Sequence, residues 1–309
     1  MTNIVVVGSL NMDLVVQVPT IPKPGETMLG FNFETFPGGK GANQAVAAAR
    51  LGAAVTMIGQ VGDDSYGEIL VENLASEGVN TEHIAIDRNN ATGVALITVD
   101  ERGQNSISVA SGANFSLTAE HIQSAWKIIG DIDILVMPLE TPLETIYEAA
   151  KLAKDQNVRV VLNPAPARSL DPGLLSMVDI LIPNEHEVLQ IAGSVDYSDS
   201  SVEESARALI NRGVNTVVVT LGENGVMIVD KKVRVMTIPS IKVDVLDTTA
   251  AGDSFVAALA VGLVEGKSLS DACSFANAAG AITVTRMGAQ PSLPTRREIS
   301  EFLERQKEQ

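Results

Sequence analysis

The stretch Val245-Leu246-Asp247-Thr248-Thr249-Ala250-Ala251-Gly252-Asp253-Ser254-Phe255 joins an apolar run to small residues and then to a long apolar-periodic segment, 255–264. That pattern predicts a turn feeding the start of a helix. Ala250, Ala251 and Gly252 have almost no side chain, so a ligand can come close to the backbone there. The first N–H groups of a helix lack internal partners and lie at the positive end of its dipole, which suits a phosphate. Asp253 follows in the first turn. A carboxylate beside a bound polyphosphate repels it unless it has a task, and the task such a place offers is to accept a proton from an attacking hydroxyl. Against this stands a plain capping role, since acidic residues in a first turn complement the dipole. The rest of the chain decides between the two by supplying, or not supplying, a second substrate site.

The 309 residues are 45% hydrophobic, enough for a sizeable core. A net charge of −16 argues against a nucleic-acid partner, which needs a basic face, but not against a small anionic ligand held locally. Cys273 stands alone, so no intrachain disulfide is expected, and its Ala-rich surroundings (271–281) mark it as a core residue. Ile4-Val5-Val6-Val7-Gly8 has neither the basic leader nor the cleavage site of a signal peptide. No apolar run reaches membrane-spanning length. The expectation is a soluble cytoplasmic protein without membrane partners, in which the sequons at Asn90 and Asn114 carry no meaning.

Near the start, 4–7 reads as a buried strand that ends in Gly8-Ser9-Leu10-Asn11-Met12-Asp13. In extended chain Asn11 and Asp13 share a face. Segment 14–18 continues as strand, and 29–34 alternates apolar and polar residues as a half-covered strand does. Segments 93–99 and 105–110 flank Asp100-Glu101-Arg102-Gly103-Gln104, a hairpin with a longer turn. These strands break the rhythm of the remainder and suggest a small separate sheet, a candidate lid. Between them lies Phe36-Pro37-Gly38-Gly39-Lys40-Gly41-Ala42-Asn43-Gln44, then an Ala-rich helix to Leu51 and a stop at Gly52. The glycines are either a flexible loop or a place of close backbone approach. Lys40 and Asn43 are polar groups able to read hydroxyls. With no Ser or Thr after the lysine and the wrong glycine spacing, this is not a Walker A loop.

Beyond residue 130 short β-rich runs (133–137, 158–162, 178–182, 216–220) alternate with helix-like segments (143–154, 172–177, 201–211). That alternation predicts a mostly parallel sheet covered on both faces, with ligands beyond the carboxyl ends of its strands. At those ends stand Leu139-Glu140, Asn163, Asn184-Glu185-His186-Glu187 and Thr220-Leu221-Gly222-Glu223-Asn224-Gly225. Taken together they point to one site. For Asn184 and Glu187 a helix cap and a role near hydrated Mg²⁺ are equally open. Thr220 to Gly225 reads either as a loop passing under a nucleotide or as an ordinary turn. Asn277 lies in a helical segment, and 298–309 reads as an amphipathic surface helix. His83, His121 and His186 are scattered without metal-ligand spacing. The acidic run 196–204 lacks the glycine of a calcium loop and reads as a solvated face.

Two stretches together, Gly38-Gly39-Lys40-Gly41-Ala42-Asn43 and Asp247-Thr248-Thr249-Ala250-Ala251-Gly252-Asp253, resemble the paired signatures of the ribokinase-like sugar kinases. The resemblance covers essentially the whole chain. It implies one α/β domain, 1–309, a three-layer sandwich with a mostly parallel central sheet. It implies a small β-sheet lid, formed discontinuously by about 13–36 and 92–111, that in this family also makes a homodimer interface. It implies ATP-dependent phosphorylation of D-ribose at the 5-hydroxyl. Asn11, Asp13, Gly39, Lys40, Asn43 and Glu140 would hold the sugar together with Asp253, and Asp253 would be the base. Ala250, Ala251 and Gly252 would supply the anion hole. Asn184, Thr220, Leu221, Gly222, Glu223, Asn224, Gly225 and Asn277 would contact ATP, and Glu187 would influence Mg²⁺ and phosphate. The family also uses a monovalent cation, usually K⁺. Asp247, Thr249, Thr283, Arg286, Gly288 and Ser292 match those positions, several through backbone carbonyls. The wider family usually has glycine where Ala250 stands. Alanine fits there with helical or extended torsions and fits poorly at positive φ.

The rival readings are a kinase of the same fold acting on fructose, a sugar acid or a nucleoside, and a catalytically silent sugar or nucleotide sensor. A content of 4% aromatic residues disfavours a nucleoside base pocket. A sensor has no need of a carboxylate beside an anion site. A dinucleotide-dependent dehydrogenase is excluded because no G-x-G-x-x-G follows the first strand.

Overall fold

The computed structural model describes residues 3–193, 199–232 and 234–307. The chain begins β1 (Asn3–Val7), β2 (Asn11–Val18), β3 (Asn32–Gly38), α1 (Lys40–Arg50), β4 (Ala54–Gly62), α2 (Ser65–Ser76) and β5 (Asn80–Asp87). It continues β6 (Gly93–Asp100), β7 (Asn105–Ala110), α3 (Ala119–Trp126), β8 (Ile134–Met137), α4 (Leu143–Asp155), β9 (Arg159–Leu162), α5 (Pro172–Met177) and β10 (Ile180–Leu181). It ends α6 (Glu185–Ala192), α7 (Asp199–Asn211), β11 (Thr216–Thr220), β12 (Val226–Asp230), β13 (Val235–Ile238), α8 (Ala251–Val264), α9 (Leu269–Thr283) and α10 (Arg296–Lys307).

Nine strands form one sheet in the order β13-β12-β11-β10-β9-β8-β1-β4-β5. From β11 through β5 every pairing is parallel, and only β12 and β13 run against their neighbours. Strand side chains alternate between two cores. Ile4, Val6, Val136, Val161 and Val218 pack with α1, α2, α8 and α9. Val5, Val7, Leu135, Met137, Val160, Leu162, Val217 and Val219 pack on the opposite face with α3 to α7. Residues between two apolar layers must be apolar on both faces, which is why these strands read as continuous hydrophobic runs. The result is the expected three-layer α/β sandwich. Cys273 is fully buried in α9, and burial pushes its thiol up to about 12.

A second sheet, β3-β2-β6-β7, stands apart. Its strands span 11–38 and 93–110, close to the expected lid segments. The strand read at 29–34 lies later, at Asn32–Gly38, because pairing with β2 runs on until Gly38 faces Asn11. Phe31, Phe33, Leu96, Ile107 and Val109 of this sheet and its margin are exposed. The chain crosses into it directly from the carboxyl end of β1. The order β8-β1-β4 makes that end the point where the sheet switches direction of winding, the crevice where such folds bind ligands.

Part of the acidic run, 196–198, and the last two residues of the expected tail helix lie outside the described residues. Among the described residues no helix is long and apolar enough to cross a membrane. Asn114 is fully buried, so its sequon offers no acceptor.

Candidate active site

Gly38, Gly39 and Gly41 are glycines for reasons of packing, not flexibility. Gly39 has φ 88, and a Cβ on it would lie 2.7 Å from the Asn11 nitrogen. A Cβ on Gly41 would lie 2.6 Å from backbone atoms of Gly8 and Ser9. A Cβ on Gly38 would fall 2.3 Å from Asp13 Oδ2. The glycines therefore let α1 start against the end of β1, within reach of β2. α1 then presents Asn43 and Gln44, three and four residues on from Lys40, on one face.

That face meets Asp253. Asn43 Nδ2 donates to Asp253 Oδ2 at 3.0 Å and Gln44 Nε2 donates to Oδ1 at 3.0 Å. Gln44 Nε2 also donates to Asn163 Oδ1 at 3.2 Å, tying the end of β9 into the same cluster. Asp253 is 5% exposed, in the first turn of α8. No side chain caps this helix. Its N-cap, Ala250, has φ 59 and ψ 6, so the position takes the torsion that alanine fits poorly rather than a helical or extended one. The strain is on the order of 1 kcal/mol. A Cβ on Gly252 would meet nothing within 4 Å, so the turn opens onto free space. Asn43 Oδ1 and Gln44 Oε1 are buried acceptors without a partner among the described residues, as expected where a hydroxyl-bearing ligand completes the site.

Three further carboxylates surround this point. Glu140 Oε2 accepts from Ser9 Oγ at 2.5 Å and from the Lys40 backbone N–H at 3.0 Å. Arg168 Nη2 donates to the carbonyls of Leu139 and Thr141, on either side of Glu140. Asp13 is raised from 3.8 to about 7, first by burial, then by Glu140 and Asp253, with Lys40 opposing. Asp253 foremost holds the Lys40 ammonium above its usual range, against the effect of burial. Burial raises Glu187, which feels both Lys40 and Asp253. Asn11, the other residue expected at the sugar, is buried beside Gly93 and receives a hydrogen bond from Asn114.

At the nucleotide-side positions, Asn184 and Glu187 form a capping box on α6. Asn184 Oδ1 accepts from the Glu187 N–H at 2.8 Å, and Glu187 Oε2 accepts from the Asn184 N–H at 2.8 Å. The capping alternative therefore holds in the structure. Glu187 keeps its electrical contact with the centre all the same. Asn184 bridges in parallel to Thr220 at the end of β11. Leu221, Gly222, Glu223, Asn224 and Gly225 make the β11–β12 turn, a hairpin connection rather than a strand-to-helix loop. Gly225 is required by that hairpin, since a Cβ there would strike the Ile238 carbonyl. Gly222 faces open space. Asn277 Nδ2 donates to Pro239 O at 3.2 Å and Ser240 Oγ donates to Glu223 O, which joins these segments into one wall.

Of the expected cation residues, Asp247 gathers two others. Its Oδ1 accepts from Thr249 N at 2.9 Å and Thr249 Oγ1 at 2.7 Å, and its Oδ2 accepts from Gly288 N at 2.8 Å. The Arg286 guanidinium turns to Glu298, and the Thr283 and Ser292 hydroxyls donate to the carbonyls of Ala279 and Ala289. Arg286 could serve a cation only through its backbone oxygen, whereas the Thr283 and Ser292 hydroxyl oxygens keep lone pairs while donating.

Sequence alone places Asn163 at the site as a strand-end residue, without a role, and does not assign Ser9, Gln44, Asn114 or Arg168 to it. Gln44 was findable: it adjoins Asn43 at helical spacing from Lys40. The others act through partners more than 20 residues away, which no local pattern reveals.

The family profile "pfkB family carbohydrate kinase" matches residues 1–296. A ribokinase of Haemophilus influenzae is 46% identical over 299 residues, 97% of each chain. The structure of a Thermotoga maritima ribokinase superposes with a TM-score of 0.89 at 39% identity, covering 98% of this chain and 100% of that one. An Arabidopsis thaliana ribokinase, solved with ribose and ATP, superposes with a TM-score of 0.88 at 32% identity, covering 98% and 99%.

Proposed function

This chain belongs to the pfkB family of carbohydrate kinases, and on that premise we propose that it transfers the γ-phosphoryl group of ATP to the 5-hydroxyl of D-ribose, giving ribose 5-phosphate and ADP. The observation that carries the reading is the Asp253 carboxylate, buried in the first turn of α8 and held from both sides by Asn43 and Gln44.

Asn11, Asp13, Lys40, Asn43 and Glu140, with the backbone at Gly39, bind the sugar hydroxyls. Asp253 accepts the 5-hydroxyl proton on a carboxylate oxygen as that hydroxyl oxygen attacks phosphorus. The Gly252 N–H, joined by the Ala251 N–H that here makes a long 3.3 Å bond to the Thr248 carbonyl, would offset charge on the phosphoryl oxygens. Asn184, the 220–225 turn and Asn277 line the nucleotide cleft. Glu187 suits a hydrated Mg²⁺, which takes one or two carboxylates plus substrate phosphates and when bound neutralises phosphate charge. Asp247 draws the 249 and 288 segments together, and oxygens of these segments would hold a monovalent cation such as K⁺, which would tune the anion hole. The chain acts as one domain whose small sheet, about 13–36 and 92–111, closes as a lid that keeps water from the phosphoryl group.

ADP release with ATP and Mg²⁺, measured across D-ribose, fructose, a sugar acid and adenosine, each in potassium or sodium, tests this. Ribose-dependent turnover that rises with potassium is expected. Turnover confined to another sugar would overturn the substrate.

The raised Asp13 carboxyl has two consequences. An acid whose folded pKa lies above its unfolded value stabilises the fold below the unfolded pKa and loses that contribution as pH rises through the folded one. Here the window runs from 3.8 to about 7. Asp13→Asn should therefore melt higher than native protein without ligands at about pH 8, the difference shrinking by about pH 5. Ribose KM of native enzyme should fall as pH rises through 7, because the ionised carboxylate accepts sugar hydroxyls best. Equal melting differences at both pH values would remove Asp13 as the source.

The exposed apolar residues of the small sheet support a homodimer through the lid, since an apolar patch of this kind on a polar surface marks an interaction site. Ile107→Asp with Val109→Asp should sediment as a monomer where native protein sediments as a dimer. An unchanged sedimentation coefficient would place any interface elsewhere.

A further inference from the structure

Asn114 lies just after the small sheet and is 1% exposed. Its Oδ1 accepts from the Leu10 backbone N–H at 2.8 Å. Its Nδ2 donates to Leu10 O at 3.0 Å, Ser111 O at 3.0 Å and Asn11 Oδ1 at 2.8 Å. The orientation of this amide is dictated by the backbone. Leu10 N–H can only donate, and the Leu10 and Ser111 carbonyls can only accept. The nitrogen must therefore face Asn11, and Asn11 must answer with its oxygen. Gly93 encloses the pair, since a Cβ there would lie 2.2 Å from Asn11 Oδ1 and 2.3 Å from Asn114 Nδ2.

We propose that Asn114 is a positioning residue that fixes the Asn11 amide with its nitrogen toward the sugar, so that Asn11 reads a substrate oxygen as a donor. The proposal rests on the sugar-kinase reading of the site and deepens it. Asp13, two residues along β2 on the same face, is an acceptor when ionised. The strand thus presents a donor and an acceptor side by side, a pair that reads two hydroxyls of fixed relative geometry. Without Asn114, Asn11 could turn over and present two acceptors.

Asn114→Asp keeps the bond from Leu10 N–H but sets a carboxylate oxygen against three acceptors, and Asn11 relieves this by turning its nitrogen inward. Sugar KM should rise about 10- to 100-fold, with KM for ATP unchanged. In an Asn11→Ala background the same substitution should add no further rise, because its effect runs through Asn11. A purely structural role would lower stability and raise both KM values in either background. Asn11→Asp supplies a test that leaves Asn114 intact. Its first oxygen still accepts from Asn114, and its second replaces the donor toward the sugar. In a panel of monofluoro and monodeoxy riboses, native enzyme should bind the fluoro sugar better than the deoxy sugar at one position, and Asn11→Asp should lose that preference. Native sugar KM in Asn11→Asp, or an unchanged analogue preference, overturns the proposal. Absence of sugar-dependent turnover in native protein would instead overturn the sugar-kinase reading.

Discussion

Asp253→Asn should lower kcat by about 10³-fold, the scale of a lost general base, with ribose still bound. The structure makes the expected result more detailed than that. Both groups facing the Asp253 carboxylate are donors, Asn43 Nδ2 and Gln44 Nε2. A carboxamide has one acceptor oxygen, so its nitrogen must face one of those donors. Gln44 is also committed to Asn163 through the same nitrogen. Among the described residues Asn43 has no second bond on its Nδ2 and no partner for its Oδ1, so Asn43 is the group that turns over. The fold should survive with a melting temperature near native. Because Asn43 also belongs to the sugar site, ribose affinity should weaken, by about tenfold or less. Steady-state ADP release and ribose titration by calorimetry separate the two effects. Turnover within about tenfold of native would remove Asp253 from the role of base.

The layered fold was legible because burial on two faces leaves a mark on every strand. Runs such as Val217-Val218-Val219 and Ile134–Met137 admit no polar interruption. The small sheet was legible through alternation, as at Phe31-Asn32-Phe33-Glu34, and through the hairpin turn at 100–104. The site was legible where chemistry concentrates in sequence, at 38–43 and 247–253. It was illegible where a side chain works at long range. Ser9 reaches Glu140 across 131 residues and Asn114 reaches Leu10 across 104. Local pattern also could not supply torsions. Ala250 is a small residue in either reading, and only the folded turn puts it at φ 59. The capping box at Asn184 and Glu187 shows why two readings of one motif need not compete. One Glu187 oxygen accepts the Asn184 N–H while the carboxylate still interacts with Lys40 and Asp253.

Four carboxylates around one ammonium are unfavourable for the fold alone. Asp13, Glu140, Glu187 and Asp253 outnumber Lys40, and the elevated Asp13 registers first its burial and then this excess. Such crowding is tolerated where function needs it, because each acid has a separate partner: Glu140 has Ser9 and the Lys40 N–H, Asp253 has two amides, and Glu187 has its helix cap. Asp13 alone among them has no hydrogen bond given by the protein's own groups in the described structure, which leaves it for substrate.

Gly38→Ala should exploit that isolation. The new methyl would sit 2.3 Å from Asp13 Oδ2, 2.6 Å from its Cγ and 2.7 Å from its Oδ1, distances no side chain tolerates. What it meets is the end of a movable side chain, not backbone, so Asp13 turns away and β2–β3 pairing persists. Ribose KM should rise about 100-fold, the scale of a lost hydrogen bond to a charged group, with ATP KM unchanged. Gly38→Ala combined with Asp13→Ala should be no worse for ribose than Asp13→Ala alone, since both remove one interaction. The pH slope of stability assigned to Asp13 should flatten in Gly38→Ala, because the carboxylate moves out of its crowded position. Gly41→Ala provides the contrast. Its methyl would lie 2.6 Å from the Gly8 carbonyl carbon and the Ser9 nitrogen, which cannot turn aside. That variant should lose about 3 kcal/mol of stability or more, as overpacking against rigid neighbours does. Kinetics for both substrates, with thermal melts of the two variants, check the pair. A Gly38→Ala enzyme with native ribose KM would show that Asp13 is not the group that reads the sugar.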